Sequence, residues 1–131
     1  MNSLKNLIGK RINKIFMPSD ERIVFETDQG LLVYCSEGDC CSHSYFVHMD
    51  GVKALLGQVV NKIEEVKRPY NENDKHENDF DCIQVYGYTF TTLQGRSTLE
   101  MRNSSNGYYS GYIVEGTLGK LKLDKELSDD F

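Results

Sequence analysis

The chain has 131 residues, a formal net charge of −5 and a hydrophobic fraction of 39%, which suits one domain with a single core. The acidic balance argues against a nucleic-acid partner, because proteins that bind duplexes usually present a basic face. The apolar runs are too short for a membrane-spanning helix or a signal-peptide core, so we expect no membrane association and a cytoplasmic location. Cysteines stay reduced there, so no disulfide framework is expected.

The first half of the chain predicts one short helix and three strands. SLKNL (3–7) is long enough for one or two helical turns. A strand over 10–17 follows, with apolar residues at every second or third position. A hairpin then joins strands over 22–27 and 31–36, and Gly30 in the DQG turn supplies the positive φ that such turns need.

The segment GDCCSH (38–43) links the third strand to a fourth over 43–49 and is rich in reactive side chains. Its Gly-Asp start is typical of a tight turn, since Asp39 can accept from backbone N–H groups downstream. Zinc prefers cysteine and histidine ligands, but adjacent residues of a strand face opposite sides, so the spacing is poor. A third interpretation makes Cys41 a nucleophile whose pKa is lowered by His43. All three interpretations are open at this point.

The second half predicts the same series of elements, followed by a charged tail. The SNGYYS corner (105–110) is a strong turn signal because Asn and Gly tolerate the left-handed region. An acidic loop interrupts this half over 67–79. In chain order the predicted elements are a short helix (52–56), four strands (58–67, 81–92, 96–103 and 109–116) and the tail (120–131).

Three echoes in one order indicate an internal duplication. In the two stretches that open the halves, Gly9 corresponds to Gly57, and each can end a helix in the left-handed conformation. The echoes are NLIGKRINKI (6–15) with ALLGQVVNKI (54–63), TDQG (27–30) with TLQG (92–95), and SYFV (44–47) with GYIV (111–114).

Together these patterns predict an α+β fold that is mainly antiparallel, with about eight strands and two short helices in two halves related by a pseudo-twofold axis. We expect a single globular domain over 1–119, with repeat halves at about 4–50 and 52–116. The acidic loop and the tail are expected to be solvated, as charged runs usually are.

One strand of the second half is apolar on both faces. Tyr86, Tyr88 and Phe90 share one face, and Ile83 and Val85 occupy the other. Such a strand is central in a sheet or faces a partner. The first case buries the tyrosines in the core. The second makes them a stacking platform for a base, with an arginine on the phosphate.

The motifs LIGK, DQG, DCC, LLGQVVNKIEEV, YTF and SNGYYS occur in this order over about residues 4–116. In this order they resemble a small family of phage and prophage proteins of unknown function. Ser42 stands where that family has an acidic residue after DCC, and the tryptophans of its later motifs are absent. The resemblance implies a viral or prophage accessory gene, and it implies no activity.

We therefore expect a non-enzymatic phage or prophage accessory protein that binds a host protein in the host cytoplasm and antagonises a host defence system. The alternative is a nucleotide-binding or metal-binding protein that uses the Cys/His corner or the tyrosines. No cofactor, metal ligand or catalytic residue is predicted, and a homodimer is compatible with the sequence. The residues predicted to bind are Asp39, Cys41, His43, Tyr88, Arg102, Asn106, Tyr108 and Tyr109.

Overall fold

The computed structural model describes residues 2–39, 42–68, 82–105 and 111–128. These residues form nine strands and two 3₁₀ helices, the latter at Asn2–Leu7 and Val52–Ala54. The strands are β1 (Arg11–Ser19), β2 (Arg22–Thr27), β3 (Gly30–Gly38), β4 (His43–Asp50), β5 (Gln58–Val59), β6 (Lys62–Arg68), β7 (Cys82–Thr92), β8 (Gly95–Ser105) and β9 (Gly111–Glu115).

The strands form two antiparallel sheets that exchange their last strands. The first sheet has the order β5-β1-β2-β3-β9, and the second has the order β4-β8-β7-β6. Strand β9, from the second half of the chain, therefore completes the first sheet beside β3, and β4 completes the second sheet beside β8. Neither half can complete its sheet alone, so the exchange ties the two halves together.

The pairing register is the same in the two halves. Ile15 of β1 lies opposite Phe25 of β2, and at the equivalent place Ile63 of β6 lies opposite Phe90 of β7. All four side chains belong to one buried cluster that both sheets share. The rings of Phe25 and Phe90 contact each other across the sheets, with centroids 5.8 Å apart.

The two predicted hairpins are confirmed, and a threonine begins the turn in each. Thr27 pairs with Gly30 in the first, and Thr92 pairs with Gly95 in the second. In both turns the threonine hydroxyl accepts from the backbone N–H two residues on, at 3.1 Å. The hydroxyl of Thr27 donates to the carbonyl of Gly30 at 2.7 Å, whereas that of Thr92 donates to the carbonyl of Ala54 at 2.6 Å and lies 3.5 Å from the carbonyl of Gly95. Both glycines have positive φ, as the turn signal predicts.

The prediction of an α+β fold with two short helices is wrong, although the mainly antiparallel arrangement is confirmed. Both predicted helices are 3₁₀ helices with bonds from residue i to i−3, such as the N–H of Leu55 to the carbonyl of Val52 at 2.9 Å. A stretch that Gly9 or Gly57 ends after so few residues cannot repay the cost of an α-helical nucleus. Within the described ranges, no helix is long and apolar enough to cross a membrane.

The stretch 58–67, predicted as one strand, forms two. In β5, Val59 pairs with Arg11 in the first sheet, whereas β6 pairs with β7 in the second. Asn61 lies between them, and its N–H donates to the carbonyl of Thr91 at 2.9 Å. Alternation of apolar residues reports which face of a strand is dry, and it does not report that the chain passes from one sheet to another.

The acidic tail contains a segment that extends the first sheet. The N–H of Met17 donates to the carbonyl of Lys125 at 3.1 Å, and the N–H of Leu127 donates to the carbonyl of Ile15 at 2.8 Å. Leu127 is 4% exposed and belongs to the shared core. The segment therefore covers the part of the β1 edge that β5 leaves open.

Candidate functional site

The strand ends that flank the two predicted corners adjoin. Gly38 at the end of β3 pairs with Gly111 at the start of β9, and Ser44 of β4 pairs with Asn103 of β8. These two pairs touch, because a Cβ atom placed on Gly111 would lie 2.4 Å from the Oγ of Ser44. The hydroxyl of Tyr86 accepts from the N–H of Gly111 at 3.1 Å and so ties β9 to β7. Strand ends from both halves thus meet at one place.

A polar cluster of Ser36, Ser42, Ser44 and Asn103 fills that place. The Nδ2 of Asn103, which is fully buried, donates to the Oγ of Ser44 at 2.8 Å and to the Oγ of Ser42 at 3.1 Å. The N–H and hydroxyl of Ser42 donate to the carbonyl of Asp39 at 3.0 Å and 2.7 Å, and the hydroxyl of Ser36 donates to the carbonyl of Ser44 at 2.8 Å. The Oδ1 of Asn103 is buried and accepts no hydrogen bond in the described structure.

The outer face of the second sheet presents aromatic and charged groups beside this cluster. The ring of His43 stacks on that of Tyr45 with centroids 5.3 Å apart, and its Nδ1 lies 3.9 Å from a carboxylate oxygen of Glu21. Across the strand pair, Arg102 lies opposite Tyr45 and donates from Nε to Glu100 at 3.0 Å. A surface of this composition resembles the aromatic and arginine-rich patches that recognise proteins.

A groove runs along the other side of β4, and we name it the β4 groove. Its volume is about 420 Å³. Apolar side chains of Met17, Phe46 and Leu127 line it between polar groups of the β1–β2 turn and the tail. The N–H of Phe46 donates to the carbonyl of Asp20 at 2.6 Å, so the two walls are held together. The lining residues are Met17, Ser19, Asp20, Phe46, Val47, Lys125, Glu126 and Leu127.

The predicted binding residues fall into three groups. Asp39 follows the end of β3, His43 begins β4, and Arg102 lies next to Asn103 in β8. All three have the interactions described above or further ones of their own. Tyr88 lies in the shared core, 1% exposed, so its ring cannot stack on a ligand that approaches from outside. The remaining four lie outside the described residues, and they are Cys41, Asn106, Tyr108 and Tyr109.

The described part of the chain contains no group of three or more His, Cys, Asp or Glu residues placed to hold a metal ion. Cys35 has a free, buried side chain. Burial raises the pKa of its thiol, Glu37 and Glu21 raise it further, and Arg22 opposes them. Because the thiolate is the reactive form of cysteine, a thiol with a raised pKa is a weak nucleophile at neutral pH.

The sequence interpretation did not include Ser44 and Asn103 among the site residues, although one signal pointed to them. The SYFV/GYIV echo aligns Ser44 with Gly111, and the offset between the two hairpins aligns Gly38 with Asn103. Each polar residue is thus matched by a glycine in the other half. Such a glycine often marks a close approach of another chain segment, which is what these two positions have.

Comparison with known proteins places the chain in a family of unknown function. Residues 5–114 match the model of a domain of unknown function, DUF7448, and the chain belongs to that family. The uncharacterized protein L278 of Acanthamoeba polyphaga mimivirus is 28% identical over 95 residues, which cover 70% of this chain and 73% of that protein. No solved structure matches the chain.

Proposed function

We propose that this member of the family is a non-enzymatic viral or prophage accessory protein that binds a host protein through the β4 groove. The groove is the observation that carries the proposal, because an apolar recess with a polar rim suits an apolar or aromatic side chain of a protein partner. The polar cluster and the outer face of the second sheet adjoin β4 and extend the surface that such a partner would meet.

The groove has the composition of an anchor pocket. Phe46 and Leu127, which line it, are buried, and Val47, which also lines it, is 39% exposed. Asp20, Lys125 and Glu126 lie at the rim, where charged groups set specificity and association rate more than affinity. Burial of one aromatic side chain in such a recess supplies much of the binding energy of a typical interface.

The viral setting is supported by the relative in a mimivirus and by the resemblance to phage and prophage proteins. A small accessory protein that binds a host protein can antagonise host defence by covering the surface that the host protein needs for its own activity. We therefore propose a defence protein of the host as the partner. The groove and its adjoining surface, rather than a reaction, would then account for the effect of the protein.

The test is a comparison of two valine-to-aspartate variants. Val47 and Val59 are 39% and 37% exposed, both lie on strands, and Val59 is not among the residues that line the groove. Each variant and the wild-type protein would be used as bait in lysate of the host, with quantitative mass spectrometry of the bound proteins. The proposal expects one host protein to be lost with Val47→Asp and retained with Val59→Asp.

Two further outcomes decide the rest of the proposal. A host protein that binds all three baits equally would use another surface and would contradict the role of the groove. If the interaction is confirmed, cells that express the wild-type protein should lose resistance to an infecting virus, and cells that express Val47→Asp should keep it. Unchanged resistance with the wild-type protein would contradict the antagonism.

The buried Oδ1 of Asn103 favours a second candidate, a protein that binds a small polar ligand next to the polar cluster. A buried acceptor without a donor is costly, and a ligand that donates to it would remove that cost. The measurement is the native mass of the purified protein beside its denatured mass. An excess equal to one small polar molecule such as a nucleotide would support this candidate, and a multiple of the bare chain mass would count against it.

A further inference from the structure

The two sheets differ at one equivalent edge. The outer edge of β1 is covered by β5 through Arg11 and Ile12 and by residues 125–127 through Ile15 and Met17. The outer edge of β6 has no strand beside it in the described part of the chain, since β6 ends the order of the second sheet. An uncovered edge presents a row of backbone donors and acceptors that another strand can pair with.

The equivalence of the halves identifies which residues present those groups. On β1, the N–H of Met17 and the carbonyl of Ile15 face away from β2, because they bond to the tail. The β6–β7 register matches the β1–β2 register over this stretch, so Ile63 corresponds to Ile15 and Glu65 to Met17. The odd-numbered residues of β6 therefore direct their backbone groups to the uncovered edge.

From this geometry we propose that β6 pairs antiparallel with β6 of a second copy of the chain. Two copies of one strand pair antiparallel about a twofold axis. Because odd-numbered residues must pair with odd-numbered residues, a residue, and not the point between two residues, lies on that axis opposite its own copy. Registers that pair most of β6 (Lys62–Arg68) place Glu64, Glu65 or Val66 opposite its own copy, whereas a centre at Ile63 or Lys67 leaves most of the strand unpaired.

Charge selects one of these registers. With Val66 on the axis, Glu64 lies opposite Arg68 and Glu65 lies opposite Lys67, twice in the symmetric pair. The registers centred on Glu64, Glu65 or Lys67 each place a charged residue opposite itself, and like charges directly opposite each other destabilise a strand pair. Charged residues normally prevent edge pairing, but here they favour pairing in a single register.

The apolar residue at the centre fits the same register. Val66 is 53% exposed, and valine on the axis would pack against its own copy, as β-branched cross-strand pairs do. A carboxylate oxygen of Glu64 also lies 3.4 Å from the Nζ of Lys62 in its own strand. The two four-stranded sheets would join into one continuous sheet, with the β4 groove at the opposite edge of each.

A charge exchange tests the proposal. Sedimentation of the wild-type chain at increasing concentration is expected to approach twice the 15.0 kDa chain mass, and to do so less readily in high salt. Glu65→Lys alone and Lys67→Glu alone each place like charges opposite one another and are expected to remain at the chain mass. An equimolar mixture of the two variants restores opposite charges at both places and is expected to form dimers.

Two variants serve as controls. Lys53→Glu changes charge at an exposed position away from β6 and should dimerise like the wild type. Glu65→Pro removes an outward N–H and leaves the bonds that the even-numbered residues of β6 make to β7. Edge strands tolerate proline at such a position, and this variant should be monomeric. A wild-type chain that stays at the chain mass, single variants that still dimerise, or a mixture that does not form dimers would overturn the proposal.

Discussion

The two halves of the chain have the same strand registers, but where they meet one sheet has polar side chains and the other has glycines. In the second sheet that place is occupied by the side chains of Ser44 and Asn103, and the equivalent positions in the first sheet are Gly111 and Gly38. A Cβ on Gly38 would lie 3.0 Å from the Nδ2 of Asn103. Equivalent positions are neighbours here, so the space accommodates one set of side chains, and the other sheet has glycine.

The halves also differ in how their first strands are protected. The tail covers β1 and inserts Leu127 into the core, whereas no described residue covers β6. Among the described residues, a repeated strand is therefore internal in one half and an edge in the other. The following predictions test what these differences, and the features that the halves share, contribute to stability.

The largest effect is expected when the cover of β1 loses its anchor. Leu127→Ala should lower the free energy of unfolding by about 3 kcal/mol, because it empties a buried site in the shared core. Urea unfolding followed by circular dichroism measures this change. Leu123→Ala is the matched control in the same tail, since Leu123 is 38% exposed, and it should change stability by less than about 0.5 kcal/mol. Equal effects would mean that the tail does not stabilise β1.

A smaller loss of stability is expected when a side chain is added to the sheet that has glycine where the two halves meet. Gly111→Ala should cost about 2 kcal/mol, because the new Cβ would lie 2.4 Å from the Oγ of Ser44 and a packed site absorbs it only by shifting its neighbours. With Ser44→Ala also present, the total loss should be less than the sum of the two single losses.

Gly87→Ala is the control for this pair. A Cβ on Gly87 meets its neighbours at 3.7 Å and 3.8 Å, which is ordinary contact. Since alanine restricts the unfolded chain more than glycine does, stability should stay level or rise by about 0.5 kcal/mol. If Gly111→Ala behaved in the same way, the halves would not be closely packed at this place.

An alkaline loss of stability is expected from one buried tyrosine in each half. Burial raises the pKa of Tyr34 and Tyr88 above the ordinary value of 10.0, and Glu115 and Glu65 respectively add to the shift. Above pH 10 the unfolded chain releases protons that the folded chain keeps. The free energy of unfolding is therefore unaffected below that pH and falls above it, by at most about 1.4 kcal/mol per pH unit for each tyrosine.

Urea titrations at several pH values between 8 and 11 measure this fall. The slope above pH 10 should become shallower in Tyr88→Phe than in the wild type, because phenylalanine has no proton to release. An identical slope in the two proteins would show that Tyr88 does not contribute to the alkaline loss.

The smallest effect is expected to be a gain. The hydroxyl of Tyr34 is buried with no hydrogen-bond partner in the described structure, and the equivalent residue in the second half is the apolar Leu99. Tyr34→Phe makes this position apolar as well and should raise stability by about 1 kcal/mol. In the control Tyr86→Phe, a hydroxyl is lost that donates to Gln84 at 2.8 Å and accepts from the N–H of Gly111 at 3.1 Å, so stability should fall by about 1 kcal/mol or more.

Local features of the fold were predictable, and features that depend on distant neighbours were not. The bounds of β2 and the turns at Gly30 and Gly95 follow from alternation and from glycine's freedom at positive φ. The break at Asn61 was missed because it depends on which sheet each side of it joins. The burial of Tyr88 was one of two interpretations, and a strand that is apolar on both faces does not decide between them.

The candidate site was likewise predicted only in part. Asp39 and His43 were selected as part of the GDCCSH corner and Arg102 as a phosphate ligand, and in the structure all three lie near one polar cluster. The β4 groove was not predicted. It forms between residues far apart in the chain, such as Met17, Phe46 and Leu127, and no local pattern reports that they meet.

The sequence by itself determined the positions of most strands, the two hairpin turns and the glycine stops, because those depend on alternation, φ preference and neighbours a few residues away. Only the tertiary structure decided that each half completes the other's sheet, that the tail covers β1, and that Asn103 and Ser44 exclude side chains at Gly38 and Gly111. Those outcomes depend on contacts between residues up to about a hundred positions apart, as in the bond from Leu127 to Ile15. Such contacts form because strand edges and apolar faces must be covered by some part of the chain, and the residues alone do not state which part it is.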